Sequence, residues 1–155
     1  MKLTDILREI GEASSAPYEY KYIKQLNSAY FTTDEGTQYK VKFGVDPSDK
    51  QMEIVFGVVD DSDNMNYEID TNEGNLFRVM STIMKIINQA VADLKPNQIV
   101  FGAAKSDPRR MNMYRKYAVN NLKGYSVVQD ANDVLVLQRD SLGKTIKQYL
   151  KTIKK

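Results

Sequence analysis

Residues 76–104 read LFRVMSTIMKIINQAVADLKPNQIVFGAA, and the change of pattern inside this stretch decides the fold class. Leu76, Val79, Met80, Ile83, Met84, Ile87, Ala90, Val91 and Leu94 recur at the three-and-four spacing of one helix face, and Phe77 and Ile86 widen the stripe. A long helix, buried over much of its surface, is expected over 76–94. Lys95, Pro96 and Asn97 end it, because proline has no N–H to continue the ladder. QIVFGAA then follows as a short apolar run of the kind that fills a central strand. With an apolar run before the helix as well, residues 52–103 form a strand–helix–strand unit. Such a unit implies a locally parallel pair joined by a right-handed crossover.

Upstream, the period shortens. From Tyr18 to Asp70 the chain runs YEYKYI, AYFTT, QYKVKFGV, MEIVFGVVD and MNYEI, separated by the turns DEGT, DPSDK and DSDN. β-branched and aromatic residues between turn formers predict an antiparallel meander of four or five strands. Downstream, Asp107-Pro108 supplies an N-cap and a first helical residue for a helix that runs to about Leu122 and stops at Gly124. The strands YSVVQ and DVLVLQR follow, joined by DAND. Each end adds an amphipathic helix: Leu3, Ile6, Leu7 and Ile10 within residues 1–13, and Leu142, Ile146, Tyr149, Leu150 and Ile153 within residues 140–155. The expected fold class is α/β (α+β), a mixed, mostly antiparallel sheet flanked by helices in a single domain over 1–155 with its core at 18–139.

Composition removes whole classes of chemistry. The 155 residues include no cysteine and no histidine, so thiolate or imidazole nucleophiles, bases and metal ligands are excluded. Carboxylates, Lys, Tyr, Ser, Thr and the backbone remain. No segment approaches a membrane span, and Asp5, Glu9 and Glu12 interrupt the start where a signal peptide would be apolar. A cytoplasmic location is expected. The net charge is only +2, but it is unevenly spread: residues 46–73 hold nine acidic side chains and Lys50, while 105–123 and 139–155 each hold six basic side chains and one aspartate.

The element order, with a long helix after the meander and a strand, helix and hairpin at the end, resembles the GNAT acetyltransferases over about Tyr18 to Arg139. That resemblance implies a site for acetyl-CoA in which the backbone at the start of the long helix meets the pyrophosphate. The family pattern there is Arg or Gln, two residues, Gly, one residue, then Gly or Ala. The matching stretch is Thr71, Asn72, Glu73, Gly74, Asn75, Leu76, Phe77, which keeps Gly74 and places Glu73 where a phosphate would arrive. Gly74, Asn75 and Leu76 are the implied cofactor-binding residues. The family's later helix carries a Leu-Tyr, any residue, Lys pattern whose Tyr protonates the leaving thiolate, and Met113, Tyr114 and Lys116 match it. Tyr114 is thus the implied catalytic acid, although it also shares an apolar face with Met111, Ala118 and Leu122. Asp60 or Glu53 would be the base.

The combination NLFRVMSTI, IVFGA and RRMNMYRK, spanning residues 74–117, also resembles small uncharacterised proteins of tailed bacteriophages. Two basic faces, with Arg109, Arg110, Arg115 and Lys116 on one helix and Lys147 and Lys151 on the last, suit a protein partner or self-assembly, and guanidinium groups interleaved with tyrosines also suit nucleic acid. The acidic run from Asp60 to Glu73 lacks the Gly and acidic or amide side chain an EF-hand loop requires at 66 and 65, so no metal is expected. The reading preferred from sequence is a noncatalytic GNAT-like protein, phage-encoded, that has no cofactor and acts through protein contacts in the virion or infected cell. The alternative is a divergent acetyl-CoA-dependent N-acetyltransferase, and the third is a nucleic-acid-binding accessory protein.

Overall fold

The computed structural model describes residues 16–66, 76–102, 108–131 and 133–140, without the side chains of 108–110 and 120. The two terminal helices expected from sequence, the Gly74 turn and the Asp107 cap lie outside these residues. The strands are β1 (Tyr20–Ile23), β2 (Ser28–Thr32), β3 (Gln38–Val45), β4 (Gln51–Val59), β5 (Met65–Asn66), β6 (Gln98–Gly102), β7 (Tyr125–Asp130) and β8 (Val134–Arg139), and the helices are α1 (Leu76–Leu94) and α2 (Pro108–Asn121). The strand order is β1-β2-β3-β4-β6-β8-β7, with β5 on β4. The mixed, mostly antiparallel α+β class expected from the sequence is the class observed. The chain divides into two compact units, one of Met1–Gly44 with Ile54–Leu94 and the other of Val45–Glu53 with Lys95–Lys155.

In the first unit β1, β2 and β3 form the expected antiparallel meander, with Tyr20 opposite Phe31 and Phe31 opposite Tyr39. A single 3-10 turn at Lys24–Leu26 joins β1 to β2, closed by Asn27 at φ 47°, a left-handed conformation that asparagine tolerates better than most residues. Alternate residues point inward, burying Ala29, Phe31, Tyr39, Val41, Phe43, Ile54 and Phe56. The rings of Tyr18, Phe31 and Tyr39 stack in sequence at 5.9 and 5.1 Å, and Tyr22 stacks on Phe43 at 5.0 Å. Burying each such side chain contributes about 1.5–3 kcal/mol.

Helix α1 has the bounds read from its stripe and buries Val79, Met80, Ile83, Met84, Ile86, Ile87 and Ala90. Two positions differ from expectation. Phe77 is 47% exposed, and Thr82 is fully buried. Thr82 turns inward because its hydroxyl accepts the Tyr18 N–H at 2.9 Å and donates to Arg78 O at 2.8 Å. The same bond explains why β1 begins at Tyr20 rather than at Tyr18.

A polar flank of α1 then latches β1 by its alternate tyrosines. The Arg78 guanidinium lies 3.8 Å over the Tyr18 ring, donates to Ala16 O at 2.9 Å and pairs with Asp34 at 2.9 Å. Tyr20 donates to Gln89, and Tyr22 donates to Asp93 at 3.2 Å. Burial, and then the neighbouring Asp93 carboxylate, push the Tyr22 phenol up to about 12.

In the second unit the first residues of β4 and β6 lie side by side. Asn97 N donates to Lys50 O at 2.8 Å, and Gln51 Nε2 to Gln98 Oε1 at 3.1 Å. Both strands therefore start at the same end, as the strand–helix–strand reading requires. β8 runs antiparallel to β6 and β7 antiparallel to β8, with a register shift between Val127 and Gln129. Ile99, Phe101, Leu135 and Leu137 form this unit's sheet core. Gly124, at φ +84°, makes the turn that ends the α2 segment, a conformation that glycine adopts without strain.

Candidate functional site

Helix α2 presents Met111, Tyr114 and Ala118 along one buried face, continued by Leu122 just past its end, at the spacing that keeps residues on one side of a helix. That face aims Tyr114 at β6. Its ring centre is 5.0 Å from that of Phe101, tilted by 39°. Its hydroxyl donates to the carbonyl of Gly102, the last residue of β6, over 3.5 Å. A second tyrosine marks the other end of the same strand, where Tyr125 donates to Pro96 O at 2.7 Å, the ordinary length for such a bond. Burial raises the Tyr125 phenol, opposed by Arg139.

Arg115, read as a partner-binding cation, is engaged by its own unit: Nε donates to Asp130 at 2.7 Å, Nη1 to Asn112 at 2.9 Å and Nη2 to Ala131 O at 3.0 Å. It fastens α2 to the turn between β7 and β8. Lys116 is exposed, its ammonium 5.5 Å from the Tyr117 ring, and burial raises the Tyr117 phenol. Arg109 and Arg110 lie in the first turn of α2 with side chains outside the described set, while Gly74, Asn75, Lys147 and Lys151 lie outside the described residues altogether. Leu76 opens α1, half-buried, in a first turn with no acidic side chain. Asp60 accepts the N–H groups of Ser62 and Asn64, both at 2.9 Å. The Asn64 N–H bond heads the causes that hold its carboxyl below the usual range, so it closes the turn before β5. Glu53 is exposed on β4.

Sequence reasoning passed over Arg78. The signal available was a lone arginine within the apolar stripe of 76–80, a position that a buried helix fills only when the guanidinium has partners. The fastening by Arg115 yields a direct expectation. Arg115→Ala lowers stability by about 1 kcal/mol, because its carboxylate partner is half in water and only the carbonyl bond is sheltered. Arg115→Lys does not restore it, because an ammonium cannot span three acceptors in a fork. Thermal melts of the two variants check this. A melting point unmoved by Arg115→Ala would assign the side chain to the surface instead.

Among the described residues no three potential metal ligands cluster, and no helix is long and apolar enough to cross a membrane. The element order, with α1 between β4 and β6 and then α2 and the β7–β8 hairpin, is the order expected from the resemblance. The fold is GNAT-like. No family model matches the sequence, and no curated protein is similar to it in sequence. Solved structures similar to it include a variant of the spermidine N-acetyltransferase SpeG of Vibrio cholerae, with 11% identity over 86% of this chain and 72% of that one and a TM-score of 0.44. A chimera built on SpeG has 9% identity over 89% and 78% and a TM-score of 0.41. The Campylobacter jejuni N-acetyltransferase PseH, solved with acetyl coenzyme A, has 15% identity over 91% and 84% and a TM-score of 0.36.

Proposed function

We propose that this GNAT-like chain is an N-acyltransferase that uses acetyl-CoA, with Tyr114 as its general acid. The observation that carries this reading is the position of the Tyr114 hydroxyl at the carboxyl end of β6, against Gly102 O. In open α/β sheets that is the end at which ligands are held. Acetyl-CoA would supply an acyl thioester and a polyanionic handle. Gly74, Asn75 and Leu76 would hold that handle through backbone N–H groups. The start of a helix offers unsatisfied N–H donors and partial positive charge to an anion, and the first turn of α1 holds no acidic side chain. Tyr114 would give its proton to the sulfur released when the acceptor nitrogen takes the acyl carbon, and the proton lost by nitrogen would return to the phenolate through solvent. A positioned phenol is among the side chains that serve as general acids.

The test is thermal unfolding with and without acetyl-CoA, alongside calorimetric titration. At a hundred times its dissociation constant a ligand adds about 2.7 kcal/mol, which raises the midpoint by about 5–10 °C for a chain of this size. No shift and no heat of binding would end the acyltransferase reading.

A second reading has its own observation. Tyr114 is only 2% exposed, packed as a core residue, and the sequence puts Glu73 where its charge would oppose a phosphate. On that reading the chain is a noncatalytic scaffold, phage-encoded, which acts through protein contacts in a virion or infected cell. Acetyl transfer to any amine would sink it.

A further inference from the structure

We propose that the C-terminal residues 142–153 of this same chain cover the outer edge of β7, an inference independent of whether the protein transfers acyl groups. β7 pairs with β8 on one side, and among the described residues no strand pairs with its other edge. It is also apolar there. Val127 is 41% and Val128 55% exposed, and Val128 is the additional residue of the register shift, opposite no residue of β8. An uncovered strand edge bearing adjacent valines is a template for self-association, and proteins commonly screen such an edge with a helix.

The occupant follows from where the described chain ends. Asp140 is tied to the beginning of β7: its N–H donates to Gly124 O at 2.7 Å, and its carboxylate accepts the Ser126 hydroxyl at 2.5 Å. The next residue thus leaves from beside the strand that needs covering. The segment that follows has the right pattern, with Leu142, Ile146, Tyr149, Leu150 and Ile153 at helical spacing. It also has the right reach. Twelve helical residues span about 18 Å, and the six residues of β7 about 20 Å. With the apolar stripe on Val127 and Val128, Lys147 and Lys151 remain on the solvent side.

Hydrogen–deuterium exchange on the full chain tests this. The β7 amides that do not bond β8 are expected to be protected, and the double substitution Leu142→Glu with Ile146→Glu to accelerate their exchange at least tenfold while α1 amides stay unchanged. The control Lys147→Glu with Lys151→Glu should leave β7 as it was. If the stripe variant also loses α1 protection, Val128→Lys approaches the contact from the other side, and amides of 142–153 should then lose protection. Free exchange of those β7 amides in the unaltered chain would overturn the proposal, as would protection that survives the substitutions or grows with protein concentration; the last outcome would assign the edge to a second copy.

Discussion

Tyr114→Phe is expected to lower turnover by about 10²- to 10⁴-fold, the usual contribution of a positioned general acid, with the fold intact. The substitution removes one oxygen and keeps the ring on Phe101. The hydroxyl's bond to Gly102 O is long at 3.5 Å, and losing such a bond costs about 1 kcal/mol. Tyr114→Ala is the contrasting variant. It empties a site that is almost fully buried and should cost about 3–5 kcal/mol, as large-to-small core changes of aromatic residues do. Thiol release from acetyl-CoA with a panel of amines, read beside thermal melts, separates the two effects. An interaction made in the transition state alone lowers kcat and kcat/KM together and leaves KM where it was. Turnover unchanged in Tyr114→Phe would strip the residue of its catalytic role and leave it as packing.

Gly57→Ala should lower stability by about 1–3 kcal/mol, the ordinary cost of overpacking, although it adds a single methyl group. A Cβ at Gly57 would stand 2.3 Å from Asn66 O and 3.0 Å from both Asn66 C and Met65 Cγ. Two of those atoms are backbone and cannot swing aside. The pairs Val58 with Asn66 and Val59 with Met65 hold β5 on β4 at this point, so β5 is the element that must give way. Amide exchange should accelerate at Met65 and Asn66 while β2 and β3 stay protected. A variant as stable as the parent, with β5 still protected, would show that the close approach is not required.

Much of the frame was legible because its signals are local. The α1 stripe and Pro96 bound that helix to the residue, and β3 runs over the very residues QYKVKFGV whose alternation announces it. Errors arose where a distant partner decides the outcome. Thr82 is buried in α1 because the backbone N–H of Tyr18, 64 residues earlier, needs an acceptor. Gly57 reads as a weak strand residue until the Asn66 backbone is seen against it. At the candidate site, the apolar face of α2 correctly placed Tyr114 inward, since helical spacing fixes which residues share a side. The same spacing says nothing of what a charge will meet. Arg115 therefore read as a partner-binding cation, and in the structure Asp130 and Ala131, 15 and 16 residues on, bond it.

The latch between β1 and α1 also orders events in time. Tyr18, Tyr20 and Tyr22 find their α1 partners 64, 69 and 71 residues later in the chain. At about 5–20 residues per second on the ribosome, β1 emerges roughly 3–14 seconds before the groups that fasten it. The β1–β3 meander must wait that long with its aromatic face open to water and to chaperones. β1 is thus secured only after β2 to β5 have been made, and synthesis that stalls before residue 93 leaves a nascent sheet without its closing helix.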